Sequence, residues 1–274
     1  MLTSGTGLRQ IAFVLKVDQR AAQGKMRKMS RTCAHLHENL SAKLPASMTY
    51  LLDEEESYEQ ASIRPLTVPL LIERKSYFHV ASAVGPIRRM APEGTARRRR
   101  QEREERLHGK RPDESYKCVK QVMLALKRRI SGPLVLQTDK KSSYVTLARD
   151  VFGTDLIQET TSGKVPRTTY NPLFPINISI GMTRDNCGRL RRKSWLVSKL
   201  ARWLRGQLSI FLAFRNYVRP RTRKSKDQTP ACQLGLLPRQ LSTQETLRWR
   251  QDWGDRSIHP MNVRGTRTVG GVAV

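Results

Sequence analysis

The chain has 274 residues, enough for one sizeable domain with a smaller one beside it. Its 51 Lys and Arg against 23 Asp and Glu leave a net charge of +28, which favours a polyanionic partner, nucleic acid before all others. An anionic membrane is disfavoured: no stretch approaches the roughly 20 apolar residues of a span, and the densest, Leu208 to Phe214, is bracketed by Arg205 and Arg215.

The first 20 residues lack the apolar core of a signal peptide. Cys33, Cys118, Cys187 and Cys232 stand far apart, with neither zinc-ligand nor disulfide-framework spacing. Both observations point to a reducing, cytoplasmic setting.

Residues 4–44 read as a helix-turn-helix, with an ordinary helical hairpin as the alternative. Leu8, Ile11, Ala12 and Leu15 recur on one helical face. Val17 and Asp18 make a turn, and Asp18 is a candidate N-cap for a second helix from Gln19. That helix presents Gln19, Arg20, Gln23, Lys25 and Arg27, a polar and basic set suited to a DNA groove. Gly24 inside it costs about 1 kcal/mol relative to Ala. A third helix, Ser30 to Leu44, closes at Pro45, so 1–46 is the expected DNA-binding unit.

From Met48 the pattern changes to strands. Tyr50 to Asp53 runs into Glu54, Glu55 and Glu56, and alternation places Asp53 and Glu55 on one face. Leu66 to Ile72 and Tyr77 to Val84 follow as a meander, with Pro69 marking the second strand as edge or bulged. The Arg97–Arg111 run has no apolar period and reads as an exposed helix or a flexible insertion (near 91–112) that touches phosphates. Val119, Val122, Met123, Leu126 and Ile130 then mark an amphipathic helix, with Asp113 as a candidate cap and Gly132 as terminator.

That helix delivers the chain into a short buried strand, Leu134 to Asp139, ending on a carboxylate and followed by a helix from Ser143 to Val151. Residues 160–176 form a Pro- and Thr-rich loop. A basic helix is expected from Asn177 to Arg192, and a long apolar one from Trp195 to Tyr217. Residues 219–274 are a basic linker and a short helical tail.

Carboxylates at adjacent strand ends can share divalent ions that stabilise the attacking and leaving oxygens of a phosphoryl displacement. Asp53 and Asp139 are the candidates, separated by enough chain for antiparallel strands, then a helix, then a strand beside the first. At this point the residues resemble a family. DEEESYE (53–59), RPLTVPL (64–70), TDKKSSY (138–144), NPLFPIN (171–177) and RLRRKSW (189–195) together resemble insertion-sequence transposases of the DDE superfamily. The branch is the one typified by insertion sequence one, and the resemblance spans roughly residues 4–260.

The resemblance implies an α/β, RNase H-like catalytic domain over 47–218, with Asp53 and Asp139 as metal-binding catalytic acids. It also implies Mg2+ or Mn2+ as cofactor, and cleavage and transfer of double-stranded DNA at terminal inverted repeats by a homo-oligomer on nucleoid DNA. The basic residues Arg189, Arg191, Arg192 and Lys193 join the N-terminal set as DNA contacts. Two departures stand out. Relatives often carry a cysteine-rich zinc ribbon ahead of the helix-turn-helix, and this sequence shows none. Asn177 occupies the expected place of the third acid, and Asp185, two turns on, is the local carboxylate that would replace it unless it pairs with Arg189. A truncated or inactive copy that binds DNA without cutting it is therefore the alternative.

Overall fold

The computed structural model describes residues 1–191, 196–222, 225 and 228–249. A mixed sheet lies between helices. Its strands are β1 (Thr49–Glu59), β2 (Ala61–Glu73), β3 (His79–Ser82), β4 (Gly85–Pro86), β5 (Leu134–Asp139) and β6 (Leu156–Thr161), in the order β3-β2-β1-β5-β6 with β4 also on β2. The first three are antiparallel, while β5 and β6 run parallel to β1. Parallel neighbours require crossovers. Helices α4 (Ser115–Lys127) and α5 (Ser142–Phe152) provide them. A meander followed by a helix and a strand beside the first is the order expected of an RNase H-like core.

Alternation along β1 and β2 divides the core. Leu52 and Leu71 pack with Leu134, Leu136 and the apolar stripe of α4, while Leu51, Leu70 and Ile72 turn to the opposite face. There they meet Ile176 and Ile180 of α6 (Phe174–Asn186), and Leu66 and Val68 meet Leu204, Leu208 and Phe211 of α7 (Ala201–Ala213). Burying a side chain of this size contributes about 1.5–3 kcal/mol. Three layers result, with helices on both faces.

Several sequence expectations change. α1 (Leu8–Val14) and α2 (Gln19–Leu40) form with Asp18 capping as expected, its Oδ1 accepting from Arg20 N at 2.7 Å. Leu15, however, is exposed, and α2 continues unbroken through Ser30, so the second and third expected helices are one. Nothing between Gln19 and Leu40 breaks a helix except Gly24, and Met26, Cys33 and Leu36 pay the cost of ordering by burial in the same core as the sheet. Gly24 meets nothing within 4 Å, so the structure supplies no reason for a glycine there. Gly206 has one: on α7, its missing Cβ lets Ser30 of α2 approach, at 3.3 Å from where that atom would sit.

Pro69 is not on an edge. β2 lies between β1 on one side and β3 and β4 on the other, and Pro69 falls between its pairings with β4 (Leu66, Thr67) and with β3 (Leu70–Ile72). The Pro69 carbonyl accepts from Ala83 N, so its missing N–H faces the gap between β4 and β3, where no ladder bond is lost. Helix ends also shift: α4 stops at Lys127, α6 spans Phe174–Asn186 instead of 177–192, and α7 begins at Ala201 and passes into a π-helical turn, Phe214–Val218. α3 (Ala96–His108) is an ordered helix inside the basic insertion, and β6 was not foreseen. Two short helices, α8 (Pro230–Gln233) and α9 (Thr243–Arg248), close the described chain. No helix among the described residues is long and apolar enough to cross a membrane.

Candidate functional site

β1 and β5 bring the two aspartates together. Their parallel register pairs Thr49 with Val135, Tyr50 with Leu136 and Leu51 with Gln137. The pairing ends there; the same offset carried two residues further would bring Asp53 opposite Asp139, and the Asp139 charge does act on Asp53. Opposed residues of neighbouring strands point to the same face, so the two carboxylates share the face covered by α6.

The electrostatics agree with that placement. Burial raises the Asp53 carboxyl to about 6, with the Asp139 and Glu54 charges adding to the rise. The Glu54 amide, donating to Asp53 Oδ1 at 2.7 Å, and the Arg167 charge oppose it. Asp139 Oδ1 accepts from Lys141 N at 3.0 Å, which fixes the turn that leaves the strand.

The acidic run of β1 does not act as one cluster. Glu55, on the Asp53 face, is buried against the guanidinium of Arg184 on α6, with Nε–Oε1 at 3.1 Å. Glu56 forms an ion pair with Arg89 at 2.5 Å. Glu54 points to the other face, where it accepts from Thr67 Oγ1 (2.7 Å), Ser115 Oγ (2.8 Å), the Tyr144 hydroxyl (2.7 Å) and Lys141 Nζ. Burial alone would raise the Glu54 carboxyl; those four donors outweigh it and leave it below the usual carboxylate range. Glu54 thereby ties the first turn of α4 and the start of α5 to the segment that follows Asp139. The sequence reading missed this role, for which the alternation of β1 was the available signal.

Asn177 and Asp185 part company on α6. Ile176, Ile180 and Thr183 face the sheet, and Arg184 reaches Glu55. Asn177 precedes Arg184 by two turns and lies on the same side of the helix. Asp185 is exposed and falls roughly opposite the buried stripe. The helix ends at Asn186, so Arg189 sits in the following 3-10 turn and no helical i,i+4 pair with Asp185 exists. Glu159, paired in register with Gln137 and bonded to its amide at 2.6 Å, is a further carboxylate on the Asp139 face that the sequence reading passed over. Among the described residues no group of three or more His, Cys, Asp or Glu side chains is arranged to hold a metal. Magnesium commonly takes one or two protein carboxylates plus substrate phosphates. The Asp53–Asp139 pair suits it chemically, since a carboxylate whose charge is disfavoured by burial and a like neighbour gains from a cation.

The expected DNA contacts divide by position. Gln19, Arg20, Lys25 and Arg27 are exposed and Gln23 is half-buried on α2. Gln19, Gln23, Arg20 and Arg27 fall within an arc of roughly 100°, with Lys25 on the far side of the buried stripe. Gln19, Gln23 and Arg189 line a cavity of about 450 Å³ that also holds Trp203. The Arg27 and Arg202 guanidiniums each lie 5.5 Å from that ring's centroid. Arg191 is exposed, whereas Arg192 and Lys193 lie outside the described residues. All four cysteines are free, and burial raises the Cys33 thiol to about 12.

No protein-family model matches the chain, and no curated protein does. Solved structures that it resembles include those of Mos1 mariner transposase. The paired end complex with Mn is 12% identical at a TM-score of 0.26, covering 76% of this chain and 72% of that one. The catalytic domain with Raltegravir and Mg is 12% identical at 0.27, covering 69% and 90%, and a further crystal structure of the catalytic domain is 12% identical at 0.26, covering 69% and 89%.

Proposed function

We propose that the chain is a DNA transposase of the DDE type that cleaves and transfers strands at the ends of an insertion element, with Asp53 and Asp139 as its metal-binding acids. The observation that supports this reading is that β1 and β5 run parallel with Leu51 opposite Gln137, and that the Asp139 charge acts on the Asp53 carboxyl. When bound there, Mg2+ or Mn2+ would neutralise charge developing on the attacking and leaving oxygens. The chain's own contribution is to hold both carboxylates on rigid strands. Glu54, through Lys141 and Tyr144, fixes the turn after Asp139.

In this reading residues 47–218 form the catalytic unit and 219–274 a basic tail. Residues 1–46 read the terminal inverted repeats through Gln19, Arg20, Gln23, Lys25 and Arg27, and Arg189, Arg191, Arg192 and Lys193 add backbone contacts. The insertion-sequence-one branch, assembly as a homo-oligomer on DNA and a nucleoid location belong to the same proposal.

A second reading has its own observation. The place of a third acid holds Asn177, and Asp185 turns outward, which favours a transposase-derived protein that binds DNA without cutting it. Incubation with duplexes carrying candidate element ends separates the two. Magnesium-dependent nicking that disappears in Asp139→Asn supports the enzyme; binding without nicking in the parent chain supports the binder.

A further inference from the structure

The arginine-rich run at 96–108 separates into two chemically different faces when it folds as α3. Thr95 caps it, its Oγ1 accepting from Arg98 N at 3.1 Å. The acids all turn to arginines. Glu104 takes Arg64 of β2, with Nε–Oε1 at 2.8 Å, and Glu105 takes the fork of Arg88, at 2.8 and 3.0 Å. Glu102 takes Arg98 at 2.7 Å. Gln101, buried, accepts from Ala91 N and donates to the Arg89 carbonyl, and Arg97 donates to the Ser62 carbonyl at 2.7 Å. The contacts of Arg97, Gln101, Glu104 and Glu105 dock one side of the helix on the neighbouring strands and loop.

Arg99, Arg100, Arg103 and Arg106 remain. All four are exposed. At 100° per residue they fall within an arc of about 120°, and they span about 10 Å of helix axis. That length covers about three phosphates of one DNA strand. Among the described residues the three acids of α3 pair with Arg64, Arg88 and Arg98, which leaves the stripe as an array of guanidiniums facing outward on a helix that ion pairs hold in place.

Its position matters as much as its charge. α3 docks at the far end of the β1–β2 hairpin, where Arg111 approaches Glu59 at 3.7 Å and Arg64 holds Glu104. Asp53 lies six residues earlier on β1, roughly 20 Å away at strand rise, and β1 runs on from it in the direction in which β5 ends at Asp139. We propose that the outward face of α3 binds the sugar-phosphate backbone of duplex DNA flanking the reacting position, about six base pairs from it at 3.4 Å per pair. The placement of the duplex rests on the catalytic reading of Asp53 and Asp139. The contact is sequence-independent, because phosphate contacts position a duplex and carry no base information.

The test uses the full chain and the variant Arg99→Gln/Arg100→Gln/Arg103→Gln/Arg106→Gln, whose replaced side chains make none of the docking contacts; an unchanged melting curve verifies this. Binding to a 30-base-pair duplex is titrated against salt in EDTA. The slope of log affinity on log salt should become shallower by about 3, since each lost phosphate contact removes about 0.9. On duplexes that extend 4 base pairs past the candidate end, parent and variant should bind alike; with 12 they should differ at least tenfold. An unchanged slope, or a loss of binding seen only with phosphatidylserine vesicles and not with DNA, overturns the proposal, as does indifference to flank length. Because EDTA removes any cutting, a chain that fails to nick DNA would sink the catalytic reading while these binding results stood on their own.

Discussion

Asp53 is held in a place that disfavours its charge. Its folded value near 6 lies above the ordinary 3.8, so the fold prefers the protonated form. Above about pH 6 the ionised group is penalised in the folded state, and below about pH 4 that penalty is absent. Asp53→Asn should therefore melt higher than the parent at pH 7.5, and the difference should vanish near pH 4. Calorimetry at both pH values checks it; an equal or lower melting temperature for the variant at pH 7.5 would contradict the burial and pairing described. Glu54 should behave in the opposite sense. Its carboxylate anchors four donors from separate elements, so Glu54→Ala should lose roughly 3 kcal/mol, chiefly by leaving the buried Thr67 and Tyr144 hydroxyls without their acceptor. Urea unfolding measures this, and a loss under 1 kcal/mol would deny Glu54 its positioning role. The neighbouring acids of β1 could not be assigned from sequence. Alternation predicted that Asp53 and Glu55 share a face, but Arg184 and Arg89, which claim Glu55 and Glu56, are distant in sequence.

At the scale of elements, the sequence showed best where a period is long and apolar. The stripe of α4, the β5 run into Asp139 and the helix after it stand close to where they were expected. β6 escaped because an outer strand with Ile157 more than half exposed has no buried alternation to read. α2 was divided at Ser30, while its continuity comes from packing on α7 that no local pattern reveals. The α6 geometry makes the third-acid question specific. If Asn177 faces the aspartate pair, Asn177→Glu should raise magnesium-dependent cleavage at least tenfold, and Asp185→Ala should leave it unchanged. A gel assay on end-bearing duplexes decides; loss of cleavage in Asp185→Ala would return the role to Asp185.

Across the whole molecule, the N-terminal helices and the sheet are joined by a buried polar knot. His37 of α2 donates through Nε2 to the Val80 carbonyl at 2.8 Å, leaving Nδ1 to accept the Tyr217 hydroxyl at 2.9 Å. Beside it, the Asn216 side chain clasps both backbone groups of His79. Burial lowers His37 to about 4, the Arg129 charge also lowering it while the bond to Val80 and the Glu38 charge oppose. Burial, then Arg215 and His37, lower His79 to about 3. Both rings fold neutral, so the unfolded chain binds more protons below pH 6.5 and stability falls as the medium is acidified. Two such groups give a slope of up to about 2.7 kcal/mol per pH unit near pH 5. Urea unfolding in the Asp53→Asn background, which removes the opposing aspartate contribution, should reveal it, and a flat profile between pH 6.5 and 4.5 would contradict it.

In the proposed enzyme, Asp53 and Asp139 on the parallel strands β1 and β5 form one divalent-metal site. The most direct test is Mn2+ binding followed by electron paramagnetic resonance, with an end-bearing duplex present to supply phosphate ligands. Asp53→Asn and Asp139→Asn should each weaken binding at least tenfold while leaving affinity for the duplex nearly unchanged, and Asp185→Ala should bind Mn2+ like the parent. Parent-like Mn2+ binding in both aspartate variants would contradict the account.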